Sequence, residues 1–571
     1  VLFNSFSYLV FLPLTVLVHW LLPQRFRTTL LLLASYLFYM NWIPAYAILI
    51  FALTVINYFF GLAINHFVSA KRQLLVAGLI VNLSCLCFFK YSNFLLDSLR
   101  ESLSWLIQIK QEHIAQVPHM NIILPLGISF FVFEFIHYIV DVSRGSEPVK
   151  NFRDFALFAA FFPSQIAGPI KRYQDFIAQL RRPRSFDQNS FAMGIFLILQ
   201  GLFKKVVLGD NMGILVEYGF SHINKLGTVD AWLAVVGFTF QIFFDFSGYT
   251  DIGRGSALLF GYSVPENFNW PFLSASLTEF WRRWHISLST WLRDYLFIPL
   301  GGSRGQAWAV RRNIMLTMII GGLWHGAAWH YAIWGAFHGL GLVIAKDWHE
   351  LVSKIKPLAS WRDNVQNNPV LHCLWHYSGV VVTLLFLFIA GTLFKAKNLN
   401  DTWDMLTKLV SATPSGELSR NFLLSTLPVS LVTYSGFLLI RWVISSSSLI
   451  QSRVGAPRLQ LGAVAYSPGS TGILSGSHPG SAGFQPASRA RTTRPYDESD
   501  LSDFTKSADF TGGADVPSAP RAHTMRPYGT RAILDWCNSS LPLRVISCSS
   551  VAIVILGFAP AKLAPFIYFQ F

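Results

Sequence analysis

Apolar segments of about 20 residues recur along this chain, and they limit what it can fold into more than any other feature. They begin near Phe6, Thr29, Ala45, Leu74, Ile122, Phe191, Trp232, Asn313, Val380, Phe422 and Val545, with shorter ones near Phe155 and Ser256. A run of that length crosses a hydrocarbon core of ~30 Å as a helix, whereas a membrane barrel alternates polarity in segments of about 10 residues. The spacing predicts an all-α, polytopic membrane protein with roughly ten to twelve passes. Composition agrees: of 571 residues, 52% are hydrophobic and 13% charged, against about a quarter charged in a soluble domain.

Loop charges orient the first half. Arg25 and Arg27 follow the first run, Lys71 and Arg72 the third, and Arg144, Lys150 and Arg153 the fifth. If the spans alternate, these loops share one face, and the positive-inside rule makes it cytoplasmic. The first run, "FSYLVFLPLTVLVHWLL" from Phe6, reads as a span because no small-residue cleavage site follows it. Basic loops account for the net charge of +15. No groove-reading or base-stacking motif accompanies it, so nucleic acid is not an expected partner. The five cysteines include no CxxC and sit mostly in or beside apolar stretches, which reads as small buried hydrophobes.

Three regions follow. Residues 1–444 form the expected membrane core. Residues 445–531 are rich in Ser, Gly, Pro and Arg, as in "SPGSTGILSGSHPGSAGFQPASRARTTRPYDESD", and predict a disordered insertion with little to bury. Residues 532–571 hold the last expected span and a tail.

Two stretches in the core depart from simple spans. Phe155 to Phe176 is apolar but interrupted by Pro163, Gly168 and Pro169, which predicts a re-entrant or broken helix covered by protein. In "FWRRWHISLSTWLRDYLFIPLGGSRG" from Phe280, the residues Trp281, Trp284, His285, Leu288, Trp291, Leu292 and Tyr295 share a helical stripe that leaves out Arg282, Arg283 and Arg293. The pattern predicts an amphipathic interfacial helix ending at Gly301-Gly302.

The chemistry concentrates in "GGLWHGAAWHYAIWGAFHG", Gly321 to Gly339, with His325, His330 and His338. Read as one helix entered from the basic pair Arg311-Arg312, it places His325 about 20 Å into the core. An imidazole at that depth is a functional candidate. On a continuous helix Gly321, Gly322, Trp329, Ala332 and Ala336 lie near His325, while His330 and His338 point roughly 140° away on either side. The three do not converge, and "HGAAWH" is not H-E-x-x-H, so no metal site is expected and His330 and His338 read as packed. Small residues beside His325 admit a neighbouring helix or leave open volume, where a neutral imidazole can take a proton from a hydroxyl. His285 is open between a snorkelling and a functional reading. Asp245 and Asp251, with Arg254 at i+3 from Asp251, are open between a structural ion pair and a proton relay. Glu134 and His137, also i, i+3, allow the same two readings. No G-x-S-x-G, Walker A or Rossmann fingerprint stands in a suitable context.

These residues resemble the membrane-bound O-acyltransferases, specifically the alginate O-acetyltransferase branch. The matching stretches, in the family's order, are "LPLGISFFVFEFIHYIVDVSRG", "FFPSQIAGPIKRY", "FFDFSGYTDIGRG", "NFNWPFLSASLTEFWRRWHISLSTWLRDYLFIPLGG", "GGLWHGAAWHYAIWGAFHG" and the terminal "PFIYFQF". The resemblance implies a multi-helix funnel with interfacial and re-entrant helices in a bacterial inner membrane. It matches the family's active-site histidine to His325 and a second histidine to His285. It implies transfer of an acyl group, in this branch acetyl, to hydroxyls of an exported polysaccharide such as alginate. The donor would be acetyl-CoA or another acyl thioester reaching the site from the cytoplasm, with no tightly bound cofactor. On that footing His325 is the expected general base, and His285 positions the thioester or stabilises developing charge. Trp324, Trp329, Gly322 and Gly326 shape the tunnel. Membrane lipids, a periplasmic acetyltransferase and the polysaccharide export machinery are the implied partners. Arg254, "PSQIAGP" and the long insertion depart from the family pattern. Two other activities compete: D-alanyl or other acyl transfer to teichoic acid, and a proton-coupled transporter using Asp245, Asp251 and the histidines. A transporter is expected to show inverted repeats, and no convincing internal repeat is present.

Overall fold

Backbone amides in hydrocarbon must find partners within their own segment, which leaves helices as the building unit of a non-barrel membrane protein. The computed structural model describes residues 3–107 and 120–419, apart from residues 4, 167, 415 and 417, together with positions 549 and 555. The runs near Phe422 and Val545, the 445–531 insertion, the 532–571 segment with "PFIYFQF", Cys537 and Cys548 lie outside the described residues.

The elements are α1 (Phe6–Leu21), α2 (Gln24–Met40), α3 (Pro44–His66), α4 (Lys71–Leu86) and α5 (Ser92–Ile107), the last two joined by a π-helical turn at Cys87–Tyr91. Next come α6 (Ile128–Ser143), α7 (Phe152–Ala160), α8 (Phe162–Gln165) and α9 (Tyr173–Arg181). Then α10 (Gln188–Leu202) runs through a π-helical segment, Phe203–Gly209, into α11 (Asp210–Ser221), and α12 (Thr228–Leu259) follows. The short α13 (Leu277–Arg283) and α14 (Ile286–Leu292) precede α15 (Ala307–His325), α16 (Trp329–Lys354), α17 (Lys356–Asn367), α18 (Pro369–Lys395) and α19 (Leu399–Lys408). Among the described residues there is no strand, and the only β-type pairing is the bridge Phe268–Trp284.

By length and apolarity, five described helices can cross a membrane: α3, the rods 68–102 and 188–221, α12 and α18. The sequence expectation of ten to twelve passes includes the runs near Phe422 and Val545, outside the described residues, and several of the other runs form shorter helices. The runs near Phe6, Thr29 and Ile122 fold into α1, α2 and α6, of 16, 17 and 16 residues, and Asn313 falls in α15, of 19 residues. Hydropathy alone does not separate a lipid-facing span from a helix buried in protein. Helix α6 is the second kind: 14 of its residues are buried, on every side, as befits a helix at a protein centre.

The broken stretch after Phe155 behaves as expected of a re-entrant segment. It stops at Ala160, restarts for one turn at Phe162–Gln165, and is buried throughout 155–166. The Phe162 N–H donates to Ser35 Oγ at 3.1 Å, so the break leaves that donor satisfied. Two of the basic loops meet: Arg153 Nη1 donates to the Arg25 carbonyl at 3.5 Å, while Arg27 Nη1 donates to the Arg184 carbonyl at 2.9 Å and Tyr58 Oη to the Lys150 carbonyl at 2.8 Å.

Helices α10 and α12 cross in close contact because glycines face each other. A Cβ on Gly248 would sit 2.6 Å from the Gly201 carbonyl oxygen, and one on Gly201 would sit 2.5 Å from the Gly248 carbonyl oxygen. Dispersion across such small-residue contacts holds helices together where lipid removes the hydrophobic drive. Gly248→Val is therefore expected to destabilise the protein by about 1–3 kcal/mol, read as a lower melting temperature in detergent. Val229→Leu, at a position 50% exposed, should leave it unchanged.

Candidate active site

The histidine-rich stretch is not one helix. Helix α15 ends at His325; Gly326 (φ −158°, ψ 155°) and Ala328 (φ −154°, ψ 152°) are extended, and α16 starts at Trp329. The two helices form an antiparallel hairpin whose far ends are tied by Arg311 Nε and Asp347 Oδ2 at 3.0 Å. Its tip lies 13 residues beyond Arg312, about 20 Å along the axis. A helix this apolar was expected to pass straight through; here it reverses inside the protein. A Cβ on Gly322 would collide with the Tyr331 carbonyl, and one on Gly326 with the Tyr331 ring. These two glycines set the approach of the hairpin arms and are not among the residues lining the cavity described below.

A helix that ends in the interior leaves carbonyls without partners, and these must be satisfied. The rod of α4 and α5 does this through its π-helical turn. Tyr91 Oη donates to the Leu323 carbonyl at 2.7 Å, and Lys90 Nζ donates to the Trp324 carbonyl. The ammonium also stands at the negative end of the α15 dipole, where a cation is favourable. Sequence reading missed both residues. The signal was present: a lysine inside "CLCFFKYSN" is as anomalous in an apolar run as His325 is in its own.

His325, 6% exposed, opens onto a cavity with mostly aromatic walls. Phe238 and Thr239 of α12, Phe280 and Trp281 of α13, Trp334 and His338 of α16, and Leu387 and Phe394 of α18 also line it. The expectation that His338 is packed away from His325 is corrected. Both imidazoles stand edge-on to the Trp334 indole, with ring centroids 5.1 Å (His325) and 4.6 Å (His338) away. The angular argument failed because it assumed a continuous helix. His330 does lie elsewhere, against Tyr331 at 4.0 Å. Trp329 is 59% exposed and touches Phe94, so it is not a cavity wall. Trp324 is buried but is not among the lining residues; its indole touches His325 at 4.9 Å and His285 at 5.9 Å.

His285 also sits at a break. The expected interfacial helix divides into α13 and α14, with Trp284 extended and His285 at φ 43°, ψ 53°. A left-handed conformation costs a non-glycine residue roughly 1–2 kcal/mol, and residues 267–269 hold it in place. Asn269 N–H donates to the Arg283 carbonyl at 2.9 Å and Ile286 N–H to the Asn267 carbonyl at 3.0 Å. Asn267 Oδ1 accepts from Ser287 Oγ at 2.7 Å. His285 itself has no exposed surface. Its ring nitrogens have no hydrogen-bond partner among the described residues. It lies outside the cavity lining, and the Trp324 indole touches both it and His325. Strain of this kind concentrates at functional sites.

The intramembrane carboxylates are held by lysines. Lys205 Nζ lies 2.5 Å from Asp245 Oδ1 and 2.6 Å from Asp210 Oδ1, and Lys204 Nζ lies 2.7 Å from Asp251 Oδ2. Both lysines project from the π-helical segment between α10 and α11. Arg254 pairs with Asp251 as expected, at 3.9 Å, and more closely with Glu266 at 2.8 Å. Glu134 is bound by Lys171 at 2.8 Å, and His137 Nε2 accepts from the Tyr173 N–H at 3.3 Å. These are structural pairings and give no support to a proton path. Among the described residues no group of three or more His, Cys, Asp or Glu is placed to hold a metal ion.

The model of the MBOAT, membrane-bound O-acyltransferase family matches residues 148–387, which take in both histidines and every cavity wall but Ala390, Gly391 and Phe394. The chain is 42% identical over 414 residues to a Pseudomonas aeruginosa protein named "Probable alginate O-acetylase AlgI", covering 72% of this chain and 74% of the relative. It is 33% identical over 448 residues to a peptidoglycan O-acetyltransferase of Helicobacter pylori, covering 72% and 80%. It is 30% identical over 298 residues to a teichoic acid D-alanyltransferase of Streptococcus thermophilus, covering 49% and 69%.

The cap on α15 makes its own prediction. Lys90→Met should leave the Trp324 carbonyl unsatisfied in the interior, at about 1–3 kcal/mol, and loosen the hairpin tip. Alkylation of a cysteine placed at Ala327 is expected to be faster in the Lys90→Met background than with Lys90 intact. Equal rates would remove the capping role.

Proposed function

This chain belongs to the membrane-bound O-acyltransferase family, and from that premise we propose that it acetylates an exported polysaccharide such as alginate. The donor is a cytoplasmic acyl thioester, acetyl-CoA or an equivalent, and the protein resides in the bacterial inner membrane. A periplasmic acetyltransferase and the polysaccharide export machinery are the proposed partners. The observation that carries the reading is His325 at the tip of a reversed hairpin, facing a cavity with aromatic walls.

In that cavity His325 is the general base. A hydroxyl of the acceptor attacks the thioester carbonyl carbon and gives its proton to the imidazole. The tetrahedral intermediate collapses, the C–S bond breaks, and the leaving thiolate recovers a proton from His325. Low dielectric around the ring favours the neutral imidazole the first step needs. His285 lies outside the cavity walls, so its role is to position: with Trp324 it fixes the ring of His325, without touching the donor. The acetylating relatives are more similar to this chain than the D-alanylating one, which favours acetyl over D-alanyl transfer. Competition between acetyl-CoA and an aminoacyl carrier protein separates the two.

General-base removal typically costs a factor of 10²–10⁴. His325→Ala is expected to lose at least roughly 10²-fold in acetyl transfer while keeping the melting temperature and gel-filtration profile of the parent. Wild-type turnover by the folded variant would sink the assignment.

A further inference from the structure

A general base accounts for the proton in acyl transfer and leaves open what holds the negative charge that develops on the carbonyl oxygen. Two side chains in the cavity wall are equipped for it. Trp281 of α13 and His338 of α16 line the same cavity as His325. Their rings meet edge to face at 5.2 Å. Both Trp281 Nε1 and His338 Nδ1 are buried without a hydrogen-bond partner among the described residues, and His338 is only 2% exposed. Buried N–H groups are almost always paired. Two unpaired nitrogens in one wall, beside the proposed base, call for an acceptor that arrives with the substrate. Thr239, the other polar lining group that is not a histidine or tryptophan, already donates to the Val235 carbonyl at 3.1 Å.

The geometry points to Trp281 and His338 as the oxyanion-binding pair of the acyl-transfer site, taking a thioester carbonyl. The inference rests on the acyltransferase reading above and adds two residues to it. As the acceptor oxygen bonds to the carbonyl carbon and its proton passes to His325, the carbonyl π pair moves onto oxygen. There the indole N–H and the Nδ1–H tautomer of His338 donate to it. When the C=O bond re-forms, the C–S bond breaks and the thiolate departs with the proton from His325. Donors fixed in a water-poor cavity stabilise such charge without reorganising, which makes this the larger part of many acyl-transfer rate enhancements. Pairing a side-chain imidazole and an indole also suits a site whose backbone amides are tied up in helices.

Trp281→Phe keeps a ring and removes only the donor; His338→Phe does the same for the imidazole; His338→Gln restores an N–H. Steady-state transfer from the acyl thioester by each variant, with equilibrium affinity for a stable ketone analogue of the donor as a second readout, tests the pair. Trp281→Phe and His338→Phe should each lower kcat on the order of 10²-fold with KM and analogue affinity nearly unchanged, and His338→Gln should recover part of the loss. Unchanged kcat in both donor-less variants, or a loss confined to KM and analogue affinity, overturns the oxyanion role. If Trp281→Phe fails to fold, the His338→Phe and His338→Gln comparison decides alone. A wild-type protein that transfers no acyl group from any thioester would overturn the underlying reading instead.

Discussion

A helix that stops in the interior of a membrane protein exposes backbone carbonyls where no water can reach them. The end of α15 at His325 is such a stop, and its satisfaction by Lys90 and Tyr91 is the interaction on which the site depends. With those carbonyls bound, α15 can terminate, the chain can turn through Gly326 to Ala328, and α16 can run back along it. Without them the cheapest course for an apolar stretch of this length is to continue as a helix across the membrane. His325 would then be one residue on a spanning surface. Instead it is the last residue of a helix, presented to a cavity closed by α12, α13, α16 and α18.

Elsewhere the same rule explains why function and charge sit at breaks. Lys90, Lys204 and Lys205 all fall in π-helical turns, which distort a helix by one residue and recur at functional sites. His285 occupies a left-handed position between α13 and α14, and the Asn267–Asn269 segment takes up the hydrogen bonds that the break frees. Charges at depth are neutralised close by: Lys205 by Asp210 and Asp245, Lys204 by Asp251, Lys171 by Glu134. In the proposed mechanism it is the imidazoles around Trp324 and Trp334, not these paired charges, that exchange protons with a substrate.

Much of this was legible in the sequence. Helical class and membrane residence follow from run length, and the loops of Arg25 and Arg153, grouped by their charge, do meet. His325 was legible because an imidazole in an apolar run is anomalous. The hairpin was not. "GGLWHGAAWHYAIWGAFHG" has the length and apolarity of a span, and its break depends on two donors more than 200 residues upstream. The difference spread from there: His338 shares the cavity with His325, and Trp329, Gly322 and Gly326 are not among the residues lining it. The segment from Phe280 failed for a related reason. Its stripe is real, but the helix that would carry it divides at His285, because Asn267 offers the backbone a better partner than the next turn.

The central claim is that His325 supplies the base at the hairpin tip. Chemical rescue tests it most directly: single-turnover acyl transfer by folded His325→Ala protein, measured with increasing free imidazole. The account predicts that imidazole enters the vacated space and restores transfer in a saturable way, with little effect on the wild-type protein. Transfer by the variant at the wild-type rate with no imidazole present would contradict it.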